Sequence, residues 1–557
     1  MEWILPEQNN APLIEWIFSS RNIDPNNSSF FNPQLSDLHS PLLLSDVKKV
    51  AVIIKEFLGT DRKIFIHGDF DVDGITATSI MWQFLFRDLG LNALPYIPSR
   101  FTEGYGLSEE SINRIIEMGG ELIITVDCGV KDASLIKEFS NKIKFIVTDH
   151  HTLLSDQEKV EGGKLAGEYL IPDKALAVCH PKLNNYPFSE LCGAAVSWKV
   201  CSAVNEILKK DIDMTKYLDL VAIGTVCDIM PLIDENRTLV KLGLEKLKRT
   251  SNLGIRNIFD YLKIPLNSID TYHLGFVLGP RINATGRLED AMDGVRLLTT
   301  QDHKMALKMA LKLDSLNSER QLLTQKFIKL AEEQIQSQIN DNLFFIYGED
   351  WPEGIIGLIA GKICEKYHRP VIVGSLKDGR IKASARSIES FNIAQNLSDL
   401  SALLLSHGGH TQAAGLSFAK DNLDKFVPAI KNAANSIISQ ADLIKKLRID
   451  GLATLADINL DTHNKLSSLS PFGMANKKPV MALRNVSADQ LRVFGKENNH
   501  IKFIFNTDNG PTEALGFYKA QELENFGIGN KIDIAGTIEK NDWNGTQSTY
   551  IKIDDIK

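Results

Sequence analysis

Seven consecutive residues of this chain, HGDFDVD, carry one histidine and three aspartates: His67, Asp69, Asp71 and Asp73. They follow a short apolar stretch with the pattern of a buried strand, and helical periodicity begins at Ile75. In an open parallel sheet, ligands bind beyond the carboxyl ends of the strands. The segment therefore predicts an α/β fold with a polar binding crevice at this edge of the sheet.

Two later strands end in the same kind of side chain. One β-branched strand runs into Asp127, and another runs into Asp149, His150 and His151. Strands that alternate with helical segments indicate a parallel, doubly wound sheet. Three strand ends are thus expected to bring carboxylates and imidazoles to one crevice.

Carboxylates at this density repel one another unless cations neutralise them. Oxygen-rich ligands with some imidazole suit Mn²⁺ or Mg²⁺ better than an ion that prefers thiolates. Two such ions about 4 Å apart can polarise a phosphate and activate water. Single aspartates after strands often only cap loops, but the clustering here favours metal binding.

A fourth element, Ala222–Leu232 (AIGTVCDIMPL), places Asp228 in an apolar, helix-like run. A carboxylate in such surroundings is costly unless it is paired or bound to a metal. Taken alone, Asp228 is equally compatible with a helix cap and with a ligand.

Two segments further along the chain offer groups for phosphate binding. Gly408–Phe418 (GGHTQAAGLSF) is glycine-rich and is predicted to open a helix whose N–H groups could hold a phosphate. Ser384–Ser387 (SARS) is predicted to follow a strand and presents Arg386 between two hydroxyls. An ordinary turn and a solvated arginine remain the alternatives for each segment taken alone.

Arginines also occur in Pro280–Leu288 (PRINATGRL) and in Ile97–Gly106 (IPSRFTEGYG). The first contains Arg281 and Arg287, and the second contains Arg100. A surface ion pair is the alternative for either segment alone.

The pattern of the chain predicts five regions. The first is an irregular lead-in rich in Pro, Asn and Ser, and the third is a long helix rich in Ala, Leu, Lys, Glu and Gln. The last contains short alternating strands separated by turns, which favours a small OB-like β-barrel. The predicted regions are the lead-in at 1–45, a catalytic α/β domain at 46–300, the connecting helix at 301–340, a second α/β domain at 341–445 and the barrel at 446–557.

In order and spacing, the acidic and histidine motifs resemble the four motifs of the DHH phosphoesterases. The resemblance implies two bound ions, Mn²⁺ or Mg²⁺, with Asp127 bridging them. His151 would face the metal site or the scissile phosphate, and Asp69 would have a supporting role. The metal ligands implied by the resemblance are His67, Asp71, Asp73, Asp127, His150 and Asp228.

The second α/β region resembles the substrate-binding domain that accompanies DHH domains, in which the histidine of the GGH motif, here His410, reaches the substrate. The implied fold has two lobes joined by the long helix, followed by the OB-like barrel. Within the family, the PRINATGRL segment and the barrel are similar to its single-strand exonucleases. That similarity makes Arg100, Arg281, Ser384 and Arg386 the expected ligands of a 5′ phosphate.

The resemblance implies a 5′→3′ exonuclease of DNA repair and recombination that releases mononucleotides from single-stranded DNA. A phosphodiesterase of short oligonucleotides or dinucleotides and a non-catalytic replication scaffold are the alternatives. A net charge of −8 argues mildly against a nucleic-acid partner but does not exclude a local basic cleft.

Cellular context is predicted mainly from composition. Six cysteines without C-x-x-C spacing indicate free thiols in a reducing cytoplasm. Neither a signal peptide nor an apolar run of the roughly 20 residues that a membrane helix needs is recognised. We expect a cytoplasmic monomer that acts on single-stranded DNA, with a helicase and a single-strand binding protein as possible partners.

Overall fold

The computed structural model describes residues 1–7, 11–100, 102–155, 160–508, 510–525, 529–543 and 546–557. The chain divides into two compact units. The nuclease unit comprises residues 33–437 and 473–475, and the terminal unit comprises residues 1–32, 438–472 and 476–557.

Strands and helices are numbered along the chain. The strands of the described residues are β1 (Glu2–Ile4), β2 (Lys63–His67), β3 (Ala93–Tyr96), β4 (Gly120–Val126), β5 (Lys144–Thr148), β6 (Leu154–Ser155), β7 (Gly163–Ala166), β8 (Tyr169–Pro172), β9 (Ala177–Cys179), β10 (Phe344–Glu349), β11 (Val371–Lys377), β12 (Arg380–Arg386), β13 (Ser406–His410), β14 (Ala413–Ala419), β15 (Lys446–Arg448), β16 (Gly451–Ala453), β17 (Met481–Ser487), β18 (Gln490–Phe494), β19 (His500–Thr507), β20 (Gly510–Gly516), β21 (Lys531–Trp543) and β22 (Thr546–Ile556).

The α-helices of the described residues are α1 (Leu13–Ser20), α2 (Ser28–Phe31), α3 (Val47–Phe57), α4 (Val72–Trp82), α5 (Glu109–Glu117), α6 (Ala133–Phe139), α7 (Gly193–Leu208), α8 (Leu218–Cys227), α9 (Asp234–Leu247), α10 (Leu253–Tyr261), α11 (Gly279–Leu288), α12 (Met292–Thr299), α13 (His303–Ile335), α14 (Glu353–Tyr367), α15 (Ile393–Asp399), α16 (Leu423–Ile437) and α17 (Leu460–Ser467). Two π-helical stretches, Gln83–Asp88 and His273–Leu278, extend α4 and precede α11. None of the described helices is both long enough and apolar enough to span a membrane.

The first sheet of the nuclease unit has five parallel strands in the order β3-β2-β4-β5-β9. The predicted parallel sheet is therefore confirmed. Its central strands are almost entirely buried, as expected for a parallel sheet covered by helices on both faces. The carboxyl ends of β2, β4 and β5 lead directly into the His67, Asp127 and Asp149 segments.

Helix α4 begins earlier than the sequence pattern predicts. Asp71 is its N-cap and accepts a hydrogen bond from the Gly74 N–H at 3.1 Å. Asp73 consequently lies in the first helical turn and not in a loop. The helical backbone restricts the rotamers of Asp73 and so fixes the direction of its side chain.

The second sheet of the nuclease unit has the order β10-β11-β12-β14-β13. The predicted helix at Gly408–Phe418 is wrong, since the segment forms the antiparallel hairpin β13–β14, with His410 opposite Ala413. Ala414, Leu416 and Phe418 are buried with a period of two, and this strand signal was masked by the glycines. Ser384 and Arg386 lie within β12 and do not follow it.

The long helix α13 confirms the prediction of one continuous connecting helix. Its N-cap is Asp302, which accepts hydrogen bonds from the N–H groups of Lys304 and Met305. The helix packs against α10, α11 and α12 of the first lobe and against α14 and β10 of the second. It therefore joins the two lobes within one compact unit.

The terminal unit contains a seven-stranded sheet in the order β16-β17-β21-β22-β20-β19-β18. The prediction of an irregular lead-in is wrong for its first residues, because β1 pairs in parallel with β15. Helix α1 also buries Ile17 and Phe18 in the apolar core beneath the sheet. An eight-residue helix gives too short a periodic signal to stand out among Pro and Asn residues.

Candidate metal centre and adjoining cationic cavity

Carboxylates and imidazoles from the three strand ends converge with Asp228 from the end of α8. Ligand atoms in each of three groups lie within 4.8 Å of one another. The groups are Asp127, His150 and His151; Asp73, His150 and Asp228; and Asp69, Asp71 and Asp127.

The N-terminus of α7 holds the Asp73 carboxylate. The N–H groups of Gly193 and Ala194 donate hydrogen bonds to its two oxygens at 2.6 and 2.9 Å. A Cβ atom on Gly193 would lie 2.5 Å from the Cβ of Asp127, so only glycine fits there without displacing the site. The sequence analysis did not identify Gly193, since its role depends on a contact between distant segments.

Asp127 adopts a left-handed backbone conformation with φ of 62° and is buried. Strained conformations of this kind concentrate at functional sites. Its Oδ1 atom lies 3.0 Å from Nε2 of His150, yet the two are not aligned for a hydrogen bond and Oδ1 has no hydrogen-bond partner. Burial, followed by the charges of Asp73 and Asp71, raises the pKa of Asp127 well above its usual range.

The buried imidazoles are kept neutral. Burial lowers the pKa of His67 to about 4 and also lowers the pKa of His150. Nε2 of His67 is buried without a hydrogen-bond partner. A neutral imidazole nitrogen with no hydrogen bond is suited to metal coordination.

Asp69 belongs to the acidic cluster more directly than the sequence analysis expected. It is buried, its Oδ1 atom lacks a hydrogen-bond partner, and it lies with Asp71 and Asp127.

Asp228 is less buried than expected, with 28% of its side chain exposed and Oδ2 at 3.6 Å from Nε2 of His150. Burial and the neighbouring carboxylates raise the pKa values of Asp69 and Asp228. Buried carboxylate oxygens that lack hydrogen-bond partners and repel one another are suited to binding a divalent cation.

Asp149 orients its neighbours and is not part of the three ligand groups. It accepts hydrogen bonds from the N–H groups of Val130, His150 and His151 at 2.7–3.0 Å, and its Oδ1 lies 2.8 Å from Nδ1 of His151. Burial is the largest influence and would raise the pKa of Asp149, but the hydrogen bonds to His151 and the charges of His151 and His150 together hold the pKa well below the usual range. This carboxylate–histidine pair fixes the tautomer of His151.

His151 is also within hydrogen-bond distance of Tyr105. The Tyr105 hydroxyl lies 3.0 Å from Nε2 of His151. Burial alone would lower the pKa of His151. The hydrogen bond to Asp149 and the negative charge of Asp149 together raise this pKa by more than burial lowers it, so the net shift is upward. His151 therefore differs from His67 and His150, because its surroundings favour the protonated form.

A cavity of about 460 Å³ adjoins this centre between the two lobes of the nuclease unit. Arg100 links the two regions, since its charge acts on both Asp69 and Asp71. The polar residues that line the cavity are Arg100, Tyr105, Arg287, Glu353, Lys382, Ser384 and Arg386.

The arginines of the cavity are held by neutral partners. Arg386 donates from Nη1 to Oγ of Ser384 at 3.1 Å and to the carbonyl oxygen of Ala385 at 2.8 Å. Arg100 stacks over the ring of Phe70 at 4.0 Å, and its Nε has no hydrogen-bond partner. Their positive charge thus remains available to an anion.

The structure corrects the assignment of Arg281. Its guanidinium pairs with Asp314 on α13 at 2.8 Å and does not line the cavity. Arg287 lies there and donates to the carbonyl oxygen of Gly354 at 3.0 Å. Six residues at about 100° each place the two arginines on different faces of α11. Burial, and then the charges of Arg100, Arg320 and Arg386, lower the pKa of Arg287 to about 9.

His410 lies on the exposed strand β13. Its pKa is lowered by burial and by the nearby charges of Lys131, His151 and Lys182. The hairpin thus brings His410 within electrostatic reach of the catalytic crevice. Of the Ile97–Gly106 segment, Phe101 lies outside the described residues.

Three family domains match this chain in succession. They are the DHH family N-terminal domain at residues 63–225, the DHHA1 domain at residues 340–436 and the RecJ OB domain at residues 449–555. The matches cover both lobes of the nuclease unit and the sheet of the terminal unit. The predicted OB domain is confirmed.

Individual relatives agree with these matches. The single-stranded-DNA-specific exonuclease RecJ of Bacillus subtilis is 33% identical over 555 residues, which cover 98% of this chain and 68% of the relative. The RecJ protein of Escherichia coli is 30% identical over 542 residues, or 92% of this chain and 90% of the relative.

A solved structure extends the likeness to three dimensions. The structure of Thermus thermophilus RecJ in complex with Mn²⁺ matches with a TM-score of 0.82 and 25% identity, covering 100% of this chain and 79% of that chain. The same enzyme has also been solved in complex with Mg²⁺. These likenesses, together with the three successive domains, show that the chain belongs to the RecJ family of DHH-domain proteins.

Proposed function

We propose that this protein is a metal-dependent exonuclease that degrades single-stranded DNA from the 5′ end and releases mononucleotides. Its RecJ relatives are named as single-stranded-DNA-specific exonucleases. The observation that carries the proposal is the joint presence of an acidic cluster and a cationic cavity, with Arg100 acting on both. The arrangement suits hydrolysis of a phosphodiester next to a bound terminal phosphate.

His67, Asp71, Asp73, Asp127, His150 and Asp228 would hold two ions, Mn²⁺ or Mg²⁺, with Asp69 beside them. When bound, divalent ions polarise the phosphate and lower the pKa of water. Asp127 and His150 each belong to two of the three ligand groups, and Asp127 suits the role of shared ligand because a carboxylate has two oxygens with which to bridge two ions. Asp73 is kept in place by the N-terminus of α7.

His151 would contact the scissile phosphate. Asp149 accepts a hydrogen bond from the Nδ1 proton of His151, and the Tyr105 hydroxyl lies 3.0 Å from Nε2 and 3.1 Å from Nδ1 of the same ring. The raised pKa of His151 favours a second proton at Nε2, which a phosphate oxygen can accept as a charge-assisted hydrogen bond. His410 would approach the same phosphate from the second lobe.

The cavity would select the 5′ end. A terminal phosphate carries more negative charge than an internal diester, and arginines bind it through paired hydrogen bonds. Arg100, Arg287, Ser384 and Arg386 supply these donors. With the end held there, the next phosphodiester is presented to the acidic cluster, so the product is a mononucleotide.

A digestion time course tests the proposal. Single-stranded DNA labelled at its 5′ end should release labelled mononucleotide from the earliest times in the presence of Mn²⁺. The same strand labelled at its 3′ end should yield a ladder of shortening fragments. Immediate release of the 3′ label, or digestion only of dinucleotides, would contradict the proposal.

The cellular setting is also a proposal. We propose roles in DNA repair and recombination in the cytoplasm, action as a monomer, and cooperation with a helicase and a single-strand binding protein. Six free cysteines, five of them buried, are compatible with a reducing compartment. Co-purification from cell extract, with size-exclusion chromatography of the isolated protein, tests the partners and the oligomeric state.

A further inference from the structure

We propose that Tyr272 and Phe276 form a stacking platform for bases of the DNA strand that lie 3′ of the scissile bond. The two rings are stacked, with centroids 5.2 Å apart and an interplanar angle of 23°. Tyr272 is 60% exposed and Phe276 is 72% exposed. The inference deepens the proposed function and rests on it, since it identifies a second contact with the same strand.

The local fold turns these rings outward. They lie on the helical segment that contains the π-helix His273–Leu278, in which Leu274 and Leu278 are buried in the core. A π-helical turn often occurs at a functional site, because its extra residue changes the directions of the neighbouring side chains. Phe276 is the most exposed phenylalanine among the residues whose burial the structure describes.

The helical segment that carries the two rings packs against the segment that leads into the metal centre. Sγ of Cys227 is 3.4 Å from the carbonyl oxygen of Leu274. A Cβ atom on Gly279 would lie 2.6 Å from the same sulfur, so the two segments are in close contact. Cys227 directly precedes Asp228, one of the groups that could hold an ion. The π-helix is therefore packed against the edge of the catalytic crevice.

The same helix also reaches the cationic cavity. It continues without a break from the π-helix into α11, which ends beyond Arg287. Phe276 and Arg287 are eleven positions apart, which corresponds to about 16 Å along a helix axis. Stacked nucleotides rise 3.4 Å each, so this length corresponds to about five nucleotides.

Nucleobases suit the platform better than a protein partner. Two nearly parallel rings offer a flat face, and base stacking on aromatic side chains accepts any sequence. We expect a strand whose 5′ end occupies the cavity to leave the crevice along the helical segment that contacts Cys227, the residue before Asp228. Ile229, the residue after Asp228, is a further exposed apolar side chain, 66% accessible, at a left-handed φ of 57°.

Steady-state cleavage by wild-type enzyme and Phe276→Ala tests the inference. For a 20-nucleotide strand, KM should rise about tenfold, because stacking on one aromatic ring contributes about 1–3 kcal/mol. For a three-nucleotide strand, which is too short to reach the platform, KM should change less than about twofold. Phe276→Trp should retain wild-type KM, whereas Phe276→Leu should resemble the alanine variant. Tyr261→Ala removes another half-exposed tyrosine of the nuclease unit and should leave both substrates unaffected.

Strands that lack individual bases test whether the higher KM of Phe276→Ala comes from lost base stacking. Abasic positions at nucleotides four to six should raise KM of the wild-type enzyme and have little further effect in Phe276→Ala. An equal loss on both strand lengths, a Phe276→Leu variant with wild-type KM, or an undiminished abasic effect in the alanine variant would overturn the inference.

Binding measurements separate this inference from the proposed function. Fluorescence anisotropy of labelled 20-nucleotide DNA, in an Asp127→Ala background with Mn²⁺, should show weaker binding when Phe276→Ala is added. Unchanged DNA binding would overturn the inference and leave a protein as the occupant of the platform. Absence of 5′→3′ cleavage by the wild-type enzyme would instead refute the proposed function.

Discussion

The two neighbouring regions of the nuclease unit carry opposite charges, and Arg100 links them. The acidic centre combines carboxylates whose pKa values are raised by burial and mutual repulsion. The cavity gathers Arg287 and Arg386, which are held by carbonyl and hydroxyl oxygens, and Arg100, which stacks on Phe70. Burial lowers the pKa of each. Unpaired buried charge is costly to folding, so each region is suited to a ligand of the opposite sign. We infer that divalent ions complete the acidic centre and that a phosphate of the substrate completes the cavity.

Asp127→Ala is the strongest test of the acidic centre. It removes the carboxylate that two ligand groups share. Loss of a residue that only orients a metal ligand lowers activity by up to about 100-fold, so loss of the ligand itself should lower hydrolysis by more than that. Mn²⁺ binding, measured by calorimetry, should weaken in parallel while the melting temperature is retained. Asp424→Ala, at an exposed position on α16, is the matched control. Activity within tenfold of wild type would contradict a dinuclear centre.

Gly193→Ala tests the same centre without removing any ligand. The added Cβ would approach the Cβ of Asp127 to 2.5 Å, so it must displace either α7 or the carboxylate. We expect activity to fall about 10–100-fold, as for loss of a group that orients a metal ligand. Gly361→Ala adds the same methyl group on α14 with no atom within 4 Å and should retain full activity. Equal rates for the two variants would show that the contact is unimportant.

Arg386→Ala addresses the cavity. Wild-type enzyme should cleave 5′-phosphorylated strands faster than 5′-hydroxyl strands, and the variant should lose most of that difference, about 10–100-fold for a charge-assisted hydrogen bond. Arg287→Ala should act similarly, whereas Arg281→Ala should keep the preference, because Arg281 pairs with Asp314. The ratio of the two cleavage rates is the measurement. Loss of the preference in Arg281→Ala alone would restore the assignment made from the sequence.

Tyr105→Phe should have the smallest effect, although Tyr105 contacts both regions. The substitution removes the hydroxyl near His151 and keeps the ring that lines the cavity. A neutral hydrogen bond contributes about 0.5–1.5 kcal/mol, so kcat should fall about 2–10-fold with little change in the 5′-phosphate preference. A changed 5′-phosphate preference with an unchanged kcat would show instead that the hydroxyl acts in binding the 5′ phosphate.

The sequence was informative where the chemistry is local. Strand ends followed by Asp or His identified the centre, because a parallel sheet brings its carboxyl ends together. Arg281 was chosen over Arg287 because a one-dimensional motif does not reveal which helix face points to the cavity. The GGH segment was assigned to a helix because its glycines obscured a strand period of two. Gly193 acts through a contact with Asp127 from a distant segment, which no local pattern records. The motif contains Asp149 but does not show that its carboxylate orients His151.

The partition of the chain has a consequence for its biosynthesis. Residues 1–32 are synthesised before residues 33–557, yet their partners, including β15 and the strands of the terminal sheet, are made only after residue 437. The nuclease unit is an insertion between the two parts of the terminal unit, and domains fold as units during synthesis. The folded nuclease unit fixes the distance between its own two ends. Less entropy is therefore lost in bringing the two parts of the terminal unit together than if the residues between them were an unfolded loop. Until these later strands are made, Ile17 and Phe18 lack their native core and are exposed to chaperones and proteases.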